Sequence, residues 1–452
     1  MQRRSFLTSL AGAVGLGLTA ASPAGANWRA LPRQRSAVQT RNTARNLIMV
    51  LLDGGPSHVD TFDLKVGRWT PNFIGQQTIG GSLQWPMGIM PKLGAMTNQF
   101  AIIRSISAIE AVHERAVYHL ITAHRQSAAL APEIPHFASV MSHMMAGQRG
   151  PNDKLPTFVS VGTDEAHNGF LNIDHAPLII SEEGRIANIV HGIDENSDRL
   201  QLLDALIALH ENRTDAGGNH ALLQQKARRL MGDQELATLL GGLSQADAGN
   251  GGGEEAEGGD AKAQFVRQCK TAVNVLAAGR GTRVMQLRLE GWDQHENIYV
   301  QGEGGLSHLA GALDEGLATL YADLQAQPGL NGGTLLDETL VVAVGEFGRT
   351  VGNLNASNGR DHYPYVTPAL LFGGGVKGGR VIGQSSADGG AITDAGWSHN
   401  RFMSIGDLVA TMYSALGIDW TQRFLDTPSG RAFELVDSIA TGPVHEIQEL
   451  FV

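Results

Sequence analysis

The sequence of 452 residues contains a single cysteine, Cys269. One cysteine cannot form a disulfide within the chain, so the fold must rest on packing, aided or not by a metal. The same scarcity excludes a metal site built from several thiolates, which leaves oxygen and imidazole as the available ligands.

Positive charge and long apolar runs are also scarce. The chain has 34 lysines and arginines against 45 aspartates and glutamates, a net charge of −11. Such an acidic chain is a poor partner for nucleic acid or for an anionic membrane surface. After the first 26 residues no apolar run reaches the roughly 18 residues of a transmembrane helix. We therefore expect no transmembrane segment in the mature chain, which should be soluble or peripherally held.

Residues 1–26 have a basic start, an apolar stretch and a small-residue end, which predicts an export signal cleaved after Ala26. The pair Arg3-Arg4 before Ser-Phe-Leu is typical of twin-arginine signals, and an ordinary Sec signal is the alternative. Cleavage would bring the net charge to −13. We expect the twin-arginine export machinery as a partner and a periplasmic, secreted or cell-surface location.

A polar segment, 27–45, is predicted to be a tether, and a single α/β domain is predicted over 46–452. Predicted strands lie near 47–52, 100–104, 157–161, 284–289, 339–344 and 368–372. Predicted helices lie near 114–125, 133–147, 304–326 and 403–416. Strands that are apolar on both faces and separated by helices indicate a doubly wound, mostly parallel sheet with helices on both faces.

The strand pattern disappears between about 196 and 280. Amphipathic helical patterns replace it, and 241–262 is a run of glycine and acidic residues without apolar periodicity. We predict a helical insertion in the domain, with a flexible loop at 241–262.

Polar residues gather in four places, three of them directly after apolar strands. The stretches are "LLDGGPSH" with Asp53, "GWDQHEN" with Asp293 and His295, "GEFGRT" with Glu346 and Arg349, and "GRDHYP" with His362. In a parallel sheet, ligands bind beyond the carboxyl ends of the strands, so these residues should converge. So many carboxylates would repel one another unless cations lay between them.

These residues suit a divalent metal, Zn²⁺ or Mn²⁺, as one or two ions. Two adjacent ions would suit the hydrolysis of phosphate or sulfate esters, with Arg349 as a candidate anion clamp. Ser57 is either a displaced nucleophile on the glycine-rich turn or a helix-capping residue. His58 is either a ligand or a residue that supports one.

The same motifs, together with the twin-arginine start, closely resemble the exported, sulfatase-like proteins of domain-of-unknown-function family 1501 (DUF1501). They span nearly the whole mature chain. The resemblance implies membership of the alkaline phosphatase and sulfatase superfamily, a two-metal α/β hydrolase fold, and a reaction class rather than a substrate.

The resemblance also implies roles. It makes Asp53 the ligand after the first strand, Asp293 and His295 ligands of the central loop, and His362 the last histidine. Glu346 stands where the superfamily usually has an Asp-His pair. Two departures are visible: one residue instead of three separates Asp293 from His295, and a phenylalanine follows Glu346 where histidine or asparagine is expected.

A larger departure concerns the nucleophile. The segment 113–125 resembles the helix that a cysteine or serine begins in sulfatases, and it places His113 at the nucleophile position. Formylglycine chemistry is therefore not expected. A histidine at a helix N-terminus can bind metal, accept a phosphoryl group or hold an anion.

Two functions from different classes follow. The first is an exported metal-dependent hydrolase of phosphate or sulfate esters, small-molecule or glycan, acting through metal-bound hydroxide or His113. The alternative is a catalytically degenerate surface protein of the same fold that binds metal or an anionic glycan. The missing nucleophile favours the alternative, and the many acids and histidines favour the enzyme.

Overall fold

The computed structural model describes residues 38–162, 166–181, 260–438 and 442–452. The predicted signal, 1–26, lies outside the described residues. The predicted insertion also lies outside them up to residue 259, which includes residues 241–259 of the predicted loop.

A sheet of nine strands forms the centre of the described chain. The strands are β1 Asn46–Leu52, β2 Ala101–Ser107, β3 Phe158–Val161, β4 Leu178–Ile180, β5 Val284–Leu289, β6 Thr339–Val344, β7 Thr367–Phe372, β8 Arg380–Ile382 and β9 Met403–Ser404. Their order is β8-β2-β7-β6-β1-β5-β3-β4, and β9 also pairs with β2. Only β7 runs antiparallel to its neighbours among these nine. The predicted mostly parallel α/β fold is thus confirmed.

Helices cover both faces of this sheet. They are α1 Pro91–Ala95, α2 His113–Thr122, α3 Phe137–Met144, α4 Ala261–Ala277, α5 Leu306–Ala326 and α6 Ile405–Ala415. Short 3₁₀ helices lie at His58–Asp60, Asn72–Ile74, Ala146–Gln148, Ile173–His175 and Gln448–Leu450. Two-stranded ribbons pair Gln76–Ile79 with Leu83–Pro86, Gly348–Arg349 with His362–Tyr363, Gln384–Ser385 with Ile392–Asp394, and Arg423–Phe424 with Phe433–Glu434.

The strand β1 shows why the sequence folds in this way. Its side chains alternate between two hydrophobic cores: Leu47, Met49 and Leu51 face the core formed with α2, α3 and α6, and the intervening residues face the core formed with α1, α4 and α5. All seven residues of β1 are buried. A strand buried on both faces is expected to be apolar, and residues 47–52 of β1 are, whereas Asn46 at its start bonds to Thr339.

The chain directions bring five loops to one edge of the sheet. The parallel strands β1, β5 and β6 are neighbours, so the loops that follow them start side by side. The loop after β2 begins at the same edge. Because β7 is antiparallel, the segment that precedes it, with His362, also arrives there.

The described part of the predicted tether lies on the domain. The backbone N–H of Asn42 donates to the carbonyl of Ser414 at 2.9 Å, and the Arg41 guanidinium pairs with Glu446 at 2.8 Å. The helix α4, at the end of the predicted insertion, packs against the sheet through buried residues such as Phe265 and Cys269. Within the described residues, no helix combines the length and apolarity needed to cross a membrane.

Each of the six predicted strands is present, with bounds within a few residues of the prediction. Three strands of the central sheet were missed, β4, β8 and β9, as were the short strands of the ribbons. Each of β4, β8 and β9 has only two or three residues, too few to show a β pattern in sequence, and β9 occupies the first two positions of the helix predicted over 403–416.

Candidate metal centre

Two glycines shape the loop that follows β1. Gly54 has φ +104°, and a Cβ on it would overlap the backbone nitrogen of Asp293. Gly55 has φ +71°, and a Cβ on it would lie 2.6 Å from the ring of Phe347. Only glycine fits both requirements. The "DGG" sequence therefore lets the end of β1 pass between the loops after β5 and β6.

Four side chains converge at this edge: His113, Asp293, His295 and His362. Each offers one ligand atom, and these atoms all lie within 4.8 Å of one another. The Nε2 atoms of the three histidines lie 3.1, 3.0 and 3.4 Å from the same oxygen, Asp293 Oδ1. The Nε2 atoms of His295 and His362 are 2.9 Å apart.

An oxygen acceptor faces the other ring nitrogen of each histidine. Nδ1 of His113 lies 2.7 Å from Glu346 Oε1, and Nδ1 of His295 lies 2.9 Å from Asp361 Oδ1. Nδ1 of His362 lies 2.7 Å from the carbonyl oxygen of Ala111. A carbonyl or an ionised carboxylate only accepts, so each Nδ1 must carry the hydrogen. When the imidazoles are neutral, they therefore present unprotonated Nε2 atoms to one another and to Asp293.

This arrangement fits a divalent cation. Lone pairs on two nitrogens 2.9 Å apart repel, as do lone pairs on a carboxylate oxygen, unless a proton or a metal cation lies between them. Nε2 of His113 is buried without a hydrogen bond, although Asp293 Oδ1 is 3.1 Å away. Histidines held through Nδ1 by oxygen acceptors are the usual ligands of a metal ion in proteins.

The pKa values in the cluster shift in different directions. Burial alone would raise the pKa of Asp293, but the Arg349 guanidinium and His113 outweigh it and lower that pKa to about 2. The hydrogen bond to Glu346 raises the pKa of His113, whereas burial lowers the pKa of His362. The cluster thus combines the ionised carboxylate of Asp293 with two imidazoles whose pKa values shift in opposite directions.

The spacing of Asp293 and His295 is explained by a tight turn. The backbone N–H of His295 donates to the carbonyl of Asp293 at 3.2 Å, a three-residue turn that brings both side chains to the same point. Phe347, the other departure in that part of the site, packs against two imidazoles, with ring centroids 4.9 Å from His113 and 4.5 Å from His362.

Arg349 is fully buried beneath the cluster. Its guanidinium donates to the carbonyl oxygens of Gly54, Gly55 and Arg360 and, at 2.5 Å, to Asp293 Oδ1. The residue thus joins the loops after β1, β5 and β6 to the segment before β7.

Asp53 and Glu346 adjoin the four-residue group without belonging to it. Asp53 Oδ2 accepts from Arg288, 2.5 Å from Nη2 and 3.1 Å from Nε. Glu346 is buried, and its Oε1 accepts from His113 and, at 3.0 Å, from the backbone N–H of Gly54. Burial raises the pKa of Glu346.

A cleft of about 550 Å³ opens beside the cluster. Its lining includes Asp53, His113, Arg288 and Asp293, with Tyr118 and Glu290 further along. The Asp293 side chain is 47% exposed and that of His295 40%, so solvent reaches the cluster.

Ser57 and His58 lie below this cleft. Both are buried. The Ser57 hydroxyl donates to Asp60 at 2.6 Å, and Asp60 pairs with the buried Arg360 at 2.7 Å. Nε2 of His58 donates to the carbonyl of Gly389, and Nδ1 accepts from the backbone N–H of Arg349 at 3.3 Å. Neither side chain belongs to the four-residue group.

Sequence reasoning missed two residues of the site. Arg288 is the second-to-last residue of β5, where a charged residue resembles an ordinary solvent-facing strand position. Asp361 stands next to His362 in a polar loop, and only the structure shows that it holds His295.

Comparisons with known proteins concern the family of the chain. The family model described as "Protein of unknown function (DUF1501)" matches residues 44–451. The chain belongs to the DUF1501 family. This confirms the resemblance carried by the motifs. No curated protein matches this DUF1501 chain.

Solved structures similar to this DUF1501 protein include Ps i-CgsB in complex with k-i-k-neocarrahexaose, at 12% identity and a TM-score of 0.40, covering 83% of this chain and 72% of that chain. A protein in the alkaline phosphatase superfamily from Vibrio parahaemolyticus is 11% identical with a TM-score of 0.39, covering 83% and 67%. Phosphonate monoester hydrolase SpPMH from Silicibacter pomeroyi is 11% identical with a TM-score of 0.39, covering 90% and 76%.

Proposed function

We propose that this protein is an exported, metal-dependent hydrolase of phosphate or sulfate esters, with His113, Asp293, His295 and His362 as the metal ligands. One observation carries the proposal: three Nε2 atoms converge on one carboxylate oxygen at the mouth of an open cleft. Export rests on the signal predicted over 1–26.

The ligand set favours Zn²⁺ or Mn²⁺, because imidazole nitrogen and carboxylate oxygen suit both ions. When bound, such an ion polarises an ester oxygen and makes a coordinated water more acidic. The half-exposed Asp293 and His295 leave the ion accessible from the cleft.

The surrounding residues hold the ligands in place. Glu346, Asp361 and the Ala111 carbonyl fix the three imidazoles with Nε2 free to coordinate, which also raises their basicity. Arg349 is assigned a positioning role instead of that of an anion clamp, because its donors are occupied by three carbonyls and Asp293.

The attacking group is assigned to water. His113 uses Nδ1 for Glu346 and directs Nε2 at the ligand cluster, so no lone pair remains to attack an ester. Ser57 is assigned a structural role, since its buried hydroxyl donates to Asp60.

One observation favours the alternative, a protein of the same fold that binds metal or an anionic glycan without turnover. Four protein ligands are the number typical of structural zinc sites, whereas catalytic sites usually have three and keep one position for water. A metal that accepts more than four ligands, such as Mn²⁺, would retain an open position here.

Two measurements on the purified mature protein test the function. Elemental analysis should find a bound transition metal, and aryl phosphate and aryl sulfate esters should show turnover of at least one class that a chelator abolishes. His295→Ala should lose both metal and turnover. The matched control is His308→Ala, a histidine of α5 outside the group, which should retain both. Bound metal without turnover across both ester classes would favour the binding protein, and absence of metal would contradict the hydrolase and leave only a metal-free glycan-binding protein.

A further inference from the structure

The superfamily that the motifs resemble implies two metal ions, yet the residues for a second ion do not fit one. We propose that this site takes a single divalent ion and that Arg288 is the built-in cation at the second position. The inference rests on the proposed metal site and concerns its stoichiometry.

The residues left for a second ion are Asp53 and Glu346, the two predicted ligands outside the four-residue group. Asp53 is engaged by Arg288 through two donors, Nη2 at 2.5 Å and Nε at 3.1 Å, both directed at Oδ2. A guanidinium bound in this way takes the place that a metal ion would need beside that carboxylate.

The fold holds Arg288 in that position. In the sheet, Arg288 is the register partner of Leu51 on the adjacent parallel strand, and Asp53 follows Leu51 by two positions. Arg288 and Asp53 therefore lie at the same edge of the sheet. Its backbone N–H donates to Gln268 at 3.0 Å, and its Nε also lies 3.1 Å from Glu290. The Arg288 side chain is only 16% exposed, so neighbouring protein atoms restrict it.

Glu346 also has hydrogen-bond partners within the protein. Its Oε1 accepts from the Gly54 N–H and from His113, which makes it part of the support of the first ion. Only Oε2 of this carboxylate lacks a partner, and a single oxygen does not form a metal site.

Charge accounting agrees with this assignment. Asp53 is paired with Arg288, which also contacts Glu290, and Asp293 is paired with Arg349, so both predicted aspartate ligands contact an arginine. The uncompensated feature is the set of facing imidazole nitrogens, which requires one ion. Arg288 also lines the cleft, so it supplies fixed positive charge beside the ion, as a second metal does in a two-metal site.

The stoichiometry of Zn²⁺ binding to the metal-free protein tests the inference, measured by calorimetric titration and by elemental analysis after desalting. The wild type should bind one equivalent. Arg288→Ala frees Asp53 and should bind a second equivalent, and Arg288→Ala/Asp53→Asn should return to one. The control Arg115→Ala, which removes a surface arginine paired with Glu110, should keep the wild-type value.

Asp53→Asn alone keeps the test decisive if Arg288→Ala does not fold. Because Asp53 is not a ligand of the single ion, this variant should still bind one equivalent, with a Kd within about threefold of the wild type. Loss of the ion in Asp53→Asn, two equivalents in the wild type, or one in folded Arg288→Ala would each overturn the inference. Absence of any binding in the wild type would overturn the proposed metal site as well, whereas one equivalent without turnover would affect the proposed reaction alone.

Discussion

The three histidines of the cleft and two histidines of the core, His58 and His136, use their ring nitrogens in opposite ways. In the cleft, Nδ1 of His113, His295 and His362 faces an acceptor, and Nε2 meets other Nε2 atoms and Asp293. In the core, Nδ1 of His58 and His136 accepts from a backbone N–H, and Nε2 donates to an oxygen.

The difference separates a structural histidine from a candidate ligand. His136 satisfies both nitrogens within the protein, through Ala138 N–H at 3.0 Å and Gln286 Oε1 at 2.5 Å, and needs nothing more. The cleft histidines satisfy one nitrogen and leave the other facing an equally electron-rich atom. A buried polar atom without a partner is costly, so the unpartnered Nε2 of His113 favours a bound cation in the cleft.

Arg349 joins the two regions and should produce the largest effect when changed. Its backbone N–H donates to His58 in the core, and its guanidinium serves Asp293 and three carbonyls at the cleft. In Arg349→Met those carbonyls lose their donor, and each buried acceptor without a donor lowers the free energy of unfolding by roughly 1 kcal/mol or more. We expect the metal-free variant to lose about 3–5 kcal/mol of unfolding free energy in urea.

The control for that change is Arg423→Met, at an exposed position, which should stay within about 0.5 kcal/mol of the wild type. A loss below about 1 kcal/mol in Arg349→Met would show that the carbonyls find other donors and that Arg349 does not hold the loops together.

Asp361 should produce an intermediate effect, on metal binding rather than on stability. In Asp361→Ala the Nδ1 of His295 loses its acceptor, so the ring is free to rotate or to change tautomer. Removal of such a supporting residue typically costs about 10–100-fold in metal affinity. A competitive chelator titration would measure the loss.

Glu114→Ala is the matched control, because it removes an exposed acid from the lining of the same cleft and touches none of the three imidazoles' Nδ1 atoms. It should change affinity by less than about threefold. Equal losses in both variants would mean that the general negative charge, and not the bond to His295, governs affinity.

His136 should produce the smallest effect, visible only as a pH dependence. Burial lowers its pKa to about 3, against 6.5 in the unfolded chain. The native state therefore binds fewer protons than the unfolded state between these values, and stability falls as the pH decreases below about 6.5. His136→Asn should reduce the slope of unfolding free energy against pH, between pH 6.5 and 4.5, by up to about 1.4 kcal/mol per unit.

Urea unfolding at several pH values, with chelator present so that the cleft histidines carry no metal, would measure this slope. An unchanged slope would mean that His136 is protonated in the native state, and the contrast between core and cleft histidines would then fail for this residue.

Much of the fold could be predicted from the sequence because residues 47–52 of β1 and 340–344 of β6 are uninterrupted apolar runs, a pattern typical of strands buried on both faces. The direction of β7 could not be predicted, since an apolar run reads alike in both directions. Its antiparallel course is nevertheless what brings His362 to the edge where Asp293 lies.

Three of the five predicted metal ligands, Asp293, His295 and His362, lie in the four-residue group, and their roles stay predictions. Acid and histidine clusters after strands indicate where polar chemistry gathers, because all parallel strands end at the same edge. Whether a carboxylate there binds metal depends on its neighbours in space: Asp53 differs from Asp293 through Arg288, which lies 235 positions away in sequence. No local pattern contains that information.

The most direct test of the account is an anomalous difference map from crystals of the zinc-loaded protein, measured at the zinc absorption edge. The account predicts one peak in this part of the molecule, surrounded by Nε2 of His113, His295 and His362 and by the carboxylate of Asp293, with Arg288 still bound to Asp53. A map without a peak there, or with a second peak between Asp53 and Glu346, would contradict it.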